Sequence, residues 1–286
     1  MAIREIEARP RGPYDLAASA RMPDRVTRRL QGGVLECAVG RDGRARVRQR
    51  PDGALAIRLE ADDPEAAWAR LRFELALDDD PTELIRAHRA DPLLGPLLRR
   101  RPGLRVLRAG SAAHAALRAF AGQLISFGEA QRIERRVLLL CAAAAGDGLR
   151  ASPSAEAIAG LGAARVAACG LATRRADALV GLLRRVDLER LGALEPAAVE
   201  ARLAREPQVG PWSIAVIAAQ GWGWPDHGPV GDLGLMKLAS AVNRRPATVE
   251  DTAELLAPYA PQRALAGLHL LGHPQARQRR PMRAAA

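Results

Sequence analysis

Glu206-Pro207-Gln208-Val209-Gly210-Pro211-Trp212-Ser213 is the stretch on which the fold turns. It follows one helical segment, Pro196 to Arg205, and opens another, Trp212 to Gln220, so the chain reads helix, tight turn, helix. A hairpin of this kind can aim several backbone N–H groups and a helix N-terminus at one phosphate, gripping it without reading a base. A bare Gly-Pro before a helix is common and needs no ligand to explain it. Three further segments decide the matter. Downstream lies Gly228-Pro229-Val230-Gly231-Asp232-Leu233-Gly234-Leu235, with Asp232 twenty positions after Trp212. Upstream, Arg101-Pro102-Gly103-Leu104-Arg105 leads to Gly122-Gln123-Leu124-Ile125-Ser126, and Leu171-Ala172-Thr173-Arg174-Arg175-Ala176 precedes an amphipathic helix.

In this order and spacing the segments resemble the helix-hairpin-helix (HhH-GPD) DNA glycosylases, specifically the 3-methyladenine DNA glycosylase II (AlkA-type) enzymes. The hairpin is similar to that family's L-P-G-I-G-x-W-T-A, the Asp232 segment to F-P-A-G-D-L-G-L, and the upstream pair to R-P-G-L-R and G-Q-x-V-S. The likeness runs from Arg101 to about Leu271, with a vaguer one between Pro13–Leu94 and the family's N-terminal sheet domain. It implies two helical subdomains flanking a DNA cleft. It also implies Asp232 as the catalytic carboxylate, a base pocket of Trp212, Val216, Leu233 and Leu271, and DNA contacts from Gln123, Leu124, Ser126, Gln208, Val209, Gly210 and Ser213.

The chemistry agrees with that assignment. Breaking an N-glycosidic bond builds positive charge on the deoxyribose, which an ionised carboxylate stabilises while orienting water. Asp232 follows Gly231 and precedes a helical pattern, where the helix dipole favours an anion; a lone Asp there could equally be a simple N-cap. The base must leave the stack before its bond can be reached, and the gap needs a filler. The resemblance gives Leu124 that role, with Gln123 beside it; the residues by themselves also allow a core leucine between Phe120 and Phe127. Relatives that also cut the strand use a lysine amine as nucleophile. Trp212 stands in its place, and the sole lysine, Lys237, suits a solvated face or a phosphate contact, so a monofunctional enzyme without lyase activity is expected.

Two departures bear on substrate. Gln208 replaces the hairpin's first glycine, which predicts a strained turn and weakens the monovalent cation that the family implies at the hairpin carbonyls. Cationic alkylated purines are gripped by stacked rings through cation–π attraction, yet Val216, Leu233 and Leu271 occupy positions where such relatives offer Tyr or Trp. Trp222 and Trp224 could compensate or could belong to the core, and His227 could touch DNA or be an ordinary loop residue. Hydrolytic release of damaged, alkylated purines in base-excision repair is therefore expected. The rivals are a glycosylase for other lesions and an inactive DNA-binding protein of the same fold.

Composition is consistent with a nucleic-acid partner. A net charge of +11 suits double-stranded DNA, discounted because Lys237 is the only lysine among 43 basic residues, a bias of the kind a high-GC genome produces. Three widely spaced cysteines, Cys37, Cys141 and Cys169, can build neither a disulfide framework nor an iron-sulfur or zinc cluster, so no metal site is expected. Every apolar run is interrupted by charge, and Met1 to Pro10 lacks the apolar core of a signal peptide. A cytoplasmic, nucleoid-associated monomer follows as the expectation.

The expected fold is mainly α with an N-terminal α+β domain at 1–92 and a helical glycosylase region at 93–286, hairpin at 206–213. Val34–Val39, Ala45–Gln49 and Ala54–Leu59 read as strands, joined at Asp42-Gly43 and Pro51-Asp52-Gly53, with glycine supplying the positive φ. Asp63-Pro64-Glu65 reads as a helix start. Beyond Asp80 no strand is expected. Helix starts fall at Asp80, Ser111, Ser152, Thr173, Glu195, Pro211, Asp232, Thr248 and Pro261, and from about Gln275 the chain reads as a frayed basic tail.

Overall fold

The computed structural model describes residues 1–21 and 23–277. Five antiparallel strands open the chain: β1 (Ala2–Ala8), β2 (Arg28–Gln31), β3 (Val34–Val39), β4 (Gly43–Gln49) and β5 (Leu55–Ala61), in the order β1-β5-β4-β3-β2. Alternation sorts their side chains. Leu35, Cys37, Val39, Ala45, Val47, Leu55, Ile57 and Leu59 all point to one buried face, where Ala67 and Leu71 of helix Pro64–Glu74 cover them. Arg44, Arg46 and Arg58 share the other face with Glu36 and Glu60, to which they are ion-paired. Asp63 caps the covering helix, accepting from the Glu65 and Ala66 N–H groups at 3.1 and 3.0 Å, with Pro64 at the first turn.

The three strands expected from sequence are present, and two more join them. β1 and β2 are too rich in charged residues to show an apolar alternation, since each lies at a sheet edge with one half-solvated face. The turn between β3 and β4 also differs from expectation. Its left-handed residue is Gly40 (φ +64°), whereas Gly43 opens β4 and is required because a Cβ there would lie 2.6 Å from the Val39 carbonyl oxygen.

The rest is helical, apart from a two-stranded pairing of Ala144–Gly146 with Leu149–Arg150 that the sequence did not suggest. The helices divide between two further cores. One surrounds helix Ala112–Gly122, nine of whose eleven residues are buried, with Val137, Leu138, Ile158, Leu179, Leu182 and Ile217 packed about it. The other joins Leu84, Leu94 and Leu98 to Leu235, Leu238, Leu256 and Leu270. Most predicted helix starts hold within two residues; the helix expected from Ser152 begins at Ala155, with Ser154 as its cap. Thr248 and Asp251 form the expected capping box. Gln275 is not frayed: Pro274–Arg277 is a short helix, Ala276 is buried, and only the part of the expected tail from 278 onward lies outside the described residues.

No helix among the described residues is long and apolar enough to cross a membrane. All three cysteines are free; Cys37 is fully enclosed, and burial pushes its thiol up to about 12, where it is inert as a nucleophile.

Candidate active site

The hairpin forms where sequence places it, between helix Pro196–Leu203 and helix Pro211–Ile217, the latter continuing as a π-helical turn to Trp222. Val209 N–H donates to the Glu206 carbonyl at 3.2 Å to close the turn. Glu206 itself is buried, and its two oxygens accept from Arg185 at 2.5 Å and Arg202 at 2.6 Å. Burial alone would raise its carboxyl, but those two guanidinium bonds outweigh the effect and hold it below the ordinary range. Gln208 is left-handed, at φ +62°, so the strain expected of a non-glycine residue there is present. Among the described residues, the backbone N–H groups of Gln208, Gly210, Trp212 and Ser213 have no acceptor within the chain. Four unmet donors around one turn make an anion cradle.

The hairpin carbonyls are where the resemblance implies a monovalent cation. Those of Glu206, Gln208 and Gly210 already accept from Val209 N, Gln123 Nε2 and Ile214 N, leaving Pro207 and Val209 as the free oxygens among the described residues. Each bonded carbonyl keeps a second lone pair, so the turn's oxygens neither require nor exclude a monovalent cation, and no step is routed through an ion.

Asp232 is the N-cap of helix Leu233–Asn243. Gly231 precedes it at φ +81°, a left-handed turn held by its N–H on Thr252 Oγ1 at 2.8 Å, and this reverses the chain into the cap. One carboxylate oxygen accepts from Gly234 N–H at 2.7 Å; the other accepts from Trp212 Nε1–H at 3.0 Å. The two helical cores thus meet at this bond, Trp212 belonging to one and the Asp232 helix to the other. The indole is fixed on its far side too, because a Cβ on Gly122 would lie 2.7 Å from its ring. Trp212 therefore orients the carboxylate, a part that its pocket assignment in the sequence does not contain. Lys237 lies on the same helix, half-buried and five residues on.

The other expected pocket residues fall around this pair unequally. Leu271 packs against Gly234, whose Cβ would meet its Cδ2 at 2.7 Å. Leu233 is exposed and Val216 is buried in the central core. Trp222 and Trp224 do not reach the site: Trp222 donates to the Leu188 carbonyl at 2.9 Å, and both rings pack together at 4.8 Å against the central core. His227 stacks on Trp224 and bonds Glu200 at 2.8 Å.

On the opposite wall Leu124 is 75% exposed at φ +57°, so it is no core leucine; Phe120 is buried and Phe127 half exposed. Gln123 turns the other way, its Nε2 donating to the Gln208 carbonyl at 2.8 Å and to Ser213 Oγ at 2.9 Å. Ser126 is occupied as the cap of helix Phe127–Cys141, exchanging hydrogen bonds with Glu129. Arg175 was visible in sequence only as part of a weak motif; its Nη1 donates to the Gln123 carbonyl at 2.6 Å.

Behind these elements lies a buried polar network. Arg118 bonds Glu134 at 2.8 Å and Gln220 at 2.7 Å, while His114 bridges Glu134 at 2.8 Å and Ser152 at 3.1 Å. Asp24, His114 and Glu134 have the chemistry of metal ligands, but the Arg118 guanidinium supplies the positive charge among them. Burial would raise both carboxyls, yet His114 and Arg118 hold Asp24, and Arg118 with His114 holds Glu134, below the ordinary range.

No family model matches the chain. Over 219 residues, 73% of its length, it is 33% identical to proteins of two strains of Mycobacterium tuberculosis described as a probable bifunctional transcriptional activator/DNA repair enzyme AlkA, and the match spans 43% of their length. Its fold matches a 3-methyladenine DNA-glycosylase from Archaeoglobus fulgidus at TM-score 0.77 and 22% identity, covering 94% of this chain and 96% of that one. An 8-oxoguanine glycosylase/lyase from Clostridium acetobutylicum matches equally well in shape, at TM-score 0.77 and 15% identity over 93% and 95% of the two chains. By sequence and by fold, the chain is an AlkA-type homologue within the helix-hairpin-helix (HhH-GPD) DNA glycosylase superfamily.

Proposed function

We propose that this protein is a monofunctional DNA glycosylase of base-excision repair that hydrolyses the N-glycosidic bond of alkylated purines in double-stranded DNA, acting as a monomer. One observation carries the proposal: a helix-capping carboxylate, Asp232, with one oxygen held by Gly234 and the other by Trp212 of the hairpin's second helix. Each Asp232 oxygen accepts one hydrogen bond and keeps a lone pair for a sugar cation or a water. As the bond to the base lengthens, electrons leave with the base and positive charge grows at the anomeric carbon, which the carboxylate stabilises. Water then adds at that carbon, its proton passes to Asp232 or to solvent, and an abasic site remains. Leu124 fills the space of the everted nucleotide and the 208–213 turn holds its backbone.

A strand-cutting amine is not part of this site, since Trp212 stands at the hairpin position and Lys237 lies more than a turn into the Asp232 helix. Borohydride added during turnover is expected to trap no covalent protein–DNA adduct; an adduct overturns the monofunctional assignment. Base release from methylated duplex DNA, followed by chromatography with Asp232→Asn alongside, tests the reaction itself. Release of 3-methyladenine or 7-methylguanine by the native protein only is the expected outcome. A second reading, a glycosylase for deaminated or other uncharged lesions, is favoured by Val216, Leu233 and Leu271 around the site and by the turning of Trp222 and Trp224 into the core. A panel of lesion-bearing duplexes separates the two. Retention of Asp232 in its two-bond cradle argues against a binding-only protein, because a carboxylate aimed at a phosphodiester opposes binding.

A further inference from the structure

The loop that carries Leu124 is four residues long, 123–126, and clamped from both ends. On its far side Ser126 and Glu129 form a reciprocal capping box, and Ile125 packs on the central core. On its near side everything depends on Gln123, where helix Ala112–Gly122 gives way to extended backbone. The Gln123 amide points its nitrogen at the hairpin, as it must, because the Gln208 carbonyl can only accept. Its own carbonyl is taken by Arg175 Nη1 at 2.6 Å. Left-handed backbone at a leucine is unfavourable and persists where its surroundings over-determine it.

Arg175 is half-buried in the first turn of helix Thr173–Arg185, and among the described residues no acid pairs with it. This differs from the guanidinium groups of Arg118, Arg185, Arg202 and Arg245, each set against a carboxylate. An unneutralised charge directed at one backbone carbonyl, immediately before an exposed left-handed leucine, is a device for fixing that loop. We propose that Arg175 is a positioning residue for base eversion: its bond to the Gln123 carbonyl keeps Leu124 projected, and the Gln123 side chain locks the projecting loop to the hairpin. The inference rests on the glycosylase reading above in one respect, that Leu124 enters DNA.

The test uses a duplex with 2-aminopurine next to a tetrahydrofuran abasic site, which needs no base release. Insertion of Leu124 unstacks the fluorophore, so the native full-length protein is expected to raise its emission at saturation, and Leu124→Ala to abolish the rise. Arg175→Met is expected to lose most of the rise even at saturating protein, with Arg175→Lys restoring much of it. If Arg175 merely touches a phosphate, Arg175→Met weakens binding and lowers the salt slope by about one, while the emission at saturation stays native; that result overturns the proposal. Failure of the native protein to bind this duplex or to raise its emission also overturns it. Thermal melting checks that each variant is folded, and Arg175→Gln carries the same test should the methionine variant not fold. Normal emission without base release from any lesion would sink the glycosylase reading and leave the positioning role standing.

Discussion

Asp232→Asn separates what the carboxylate does for the fold from what it does for the chemistry. In the native protein two donors face two oxygens, Gly234 N–H at 2.7 Å and Trp212 Nε1–H at 3.0 Å. Asparagine keeps a single oxygen and sets an NH2 group where the second stood, so one donor loses its acceptor. The cap survives, because Asn and Asp cap helices comparably. The orphaned N–H is half-buried, which sets its cost at about 1–2 kcal/mol. The chemical loss is larger. A carboxylate about 4 Å from a developing sugar cation, at an effective dielectric near 20, contributes about 4 kcal/mol, roughly a thousandfold in rate. Denaturant unfolding reads the first quantity and single-turnover base release the second. Adding Trp212→Phe removes the orphaned donor, so the double variant should regain stability without regaining rate. An Asp232→Asn protein within tenfold of native activity refutes the catalytic assignment. Equal destabilisation by Trp212→Phe in the native and Asp232→Asn backgrounds refutes the coupling.

Three further outcomes follow from the same structure. His269, buried on helix Arg263–Leu270, is pushed down to about 4 by burial and by the Arg101 charge. The unfolded chain therefore takes up a proton first, near its ordinary value of about 6.5, so stability is full above that pH and falls as pH drops toward 4; His269→Gln should flatten that slope in urea titrations. Gln208→Gly should raise the unfolding free energy by up to about 1 kcal/mol, relief of left-handed strain exceeding the added chain entropy, and a lowered unfolding free energy in urea titration refutes it. Arg118→Met leaves Asp24 and Glu134 buried without their guanidinium and should cost about 3–5 kcal/mol, part of it recovered by Glu134→Gln, as read by thermal melting.

Much of the site is legible in sequence because it is built from backbone conformations that few residues tolerate. Gly231 before Asp232, and Pro211 at the first turn of the hairpin's second helix, announce their geometry locally. Leu124 is another matter. Sequence leaves it between wedge and core; its φ and its exposure rule out the core, and neither is announced by the residues around it. The role of Trp212 toward Asp232 is invisible for the same reason: a hydrogen bond across two cores leaves no local trace. Strands β1 and β2 escape detection because edge strands with ion-paired outer faces need no apolar alternation, and the cation network around Arg118 escapes because its members are scattered from Asp24 to Gln220.

The alanines of helix Ala112–Gly122 have a mechanical consequence. Where this helix meets the hairpin's second helix and its π-helical extension, contact is nearly backbone to backbone: Gly122 lies under the Trp212 ring, and a Cβ on Gly221 would sit 3.2 Å from the Ala112 Cα. Apart from the Trp212 ring held against Gly122, small residues fill this contact, so the spacing from the hairpin turn to the leucine tip is set like the jaws of a fixed gauge. On the function proposed above, a duplex is expected to bend and open to that spacing, so that the work of deformation falls on the nucleic acid. Sites whose stacking is already weakened by damage deform most cheaply. If the proposed function holds, discrimination between sound and damaged DNA is expected to begin in the stiffness of the double helix, before any base enters the pocket.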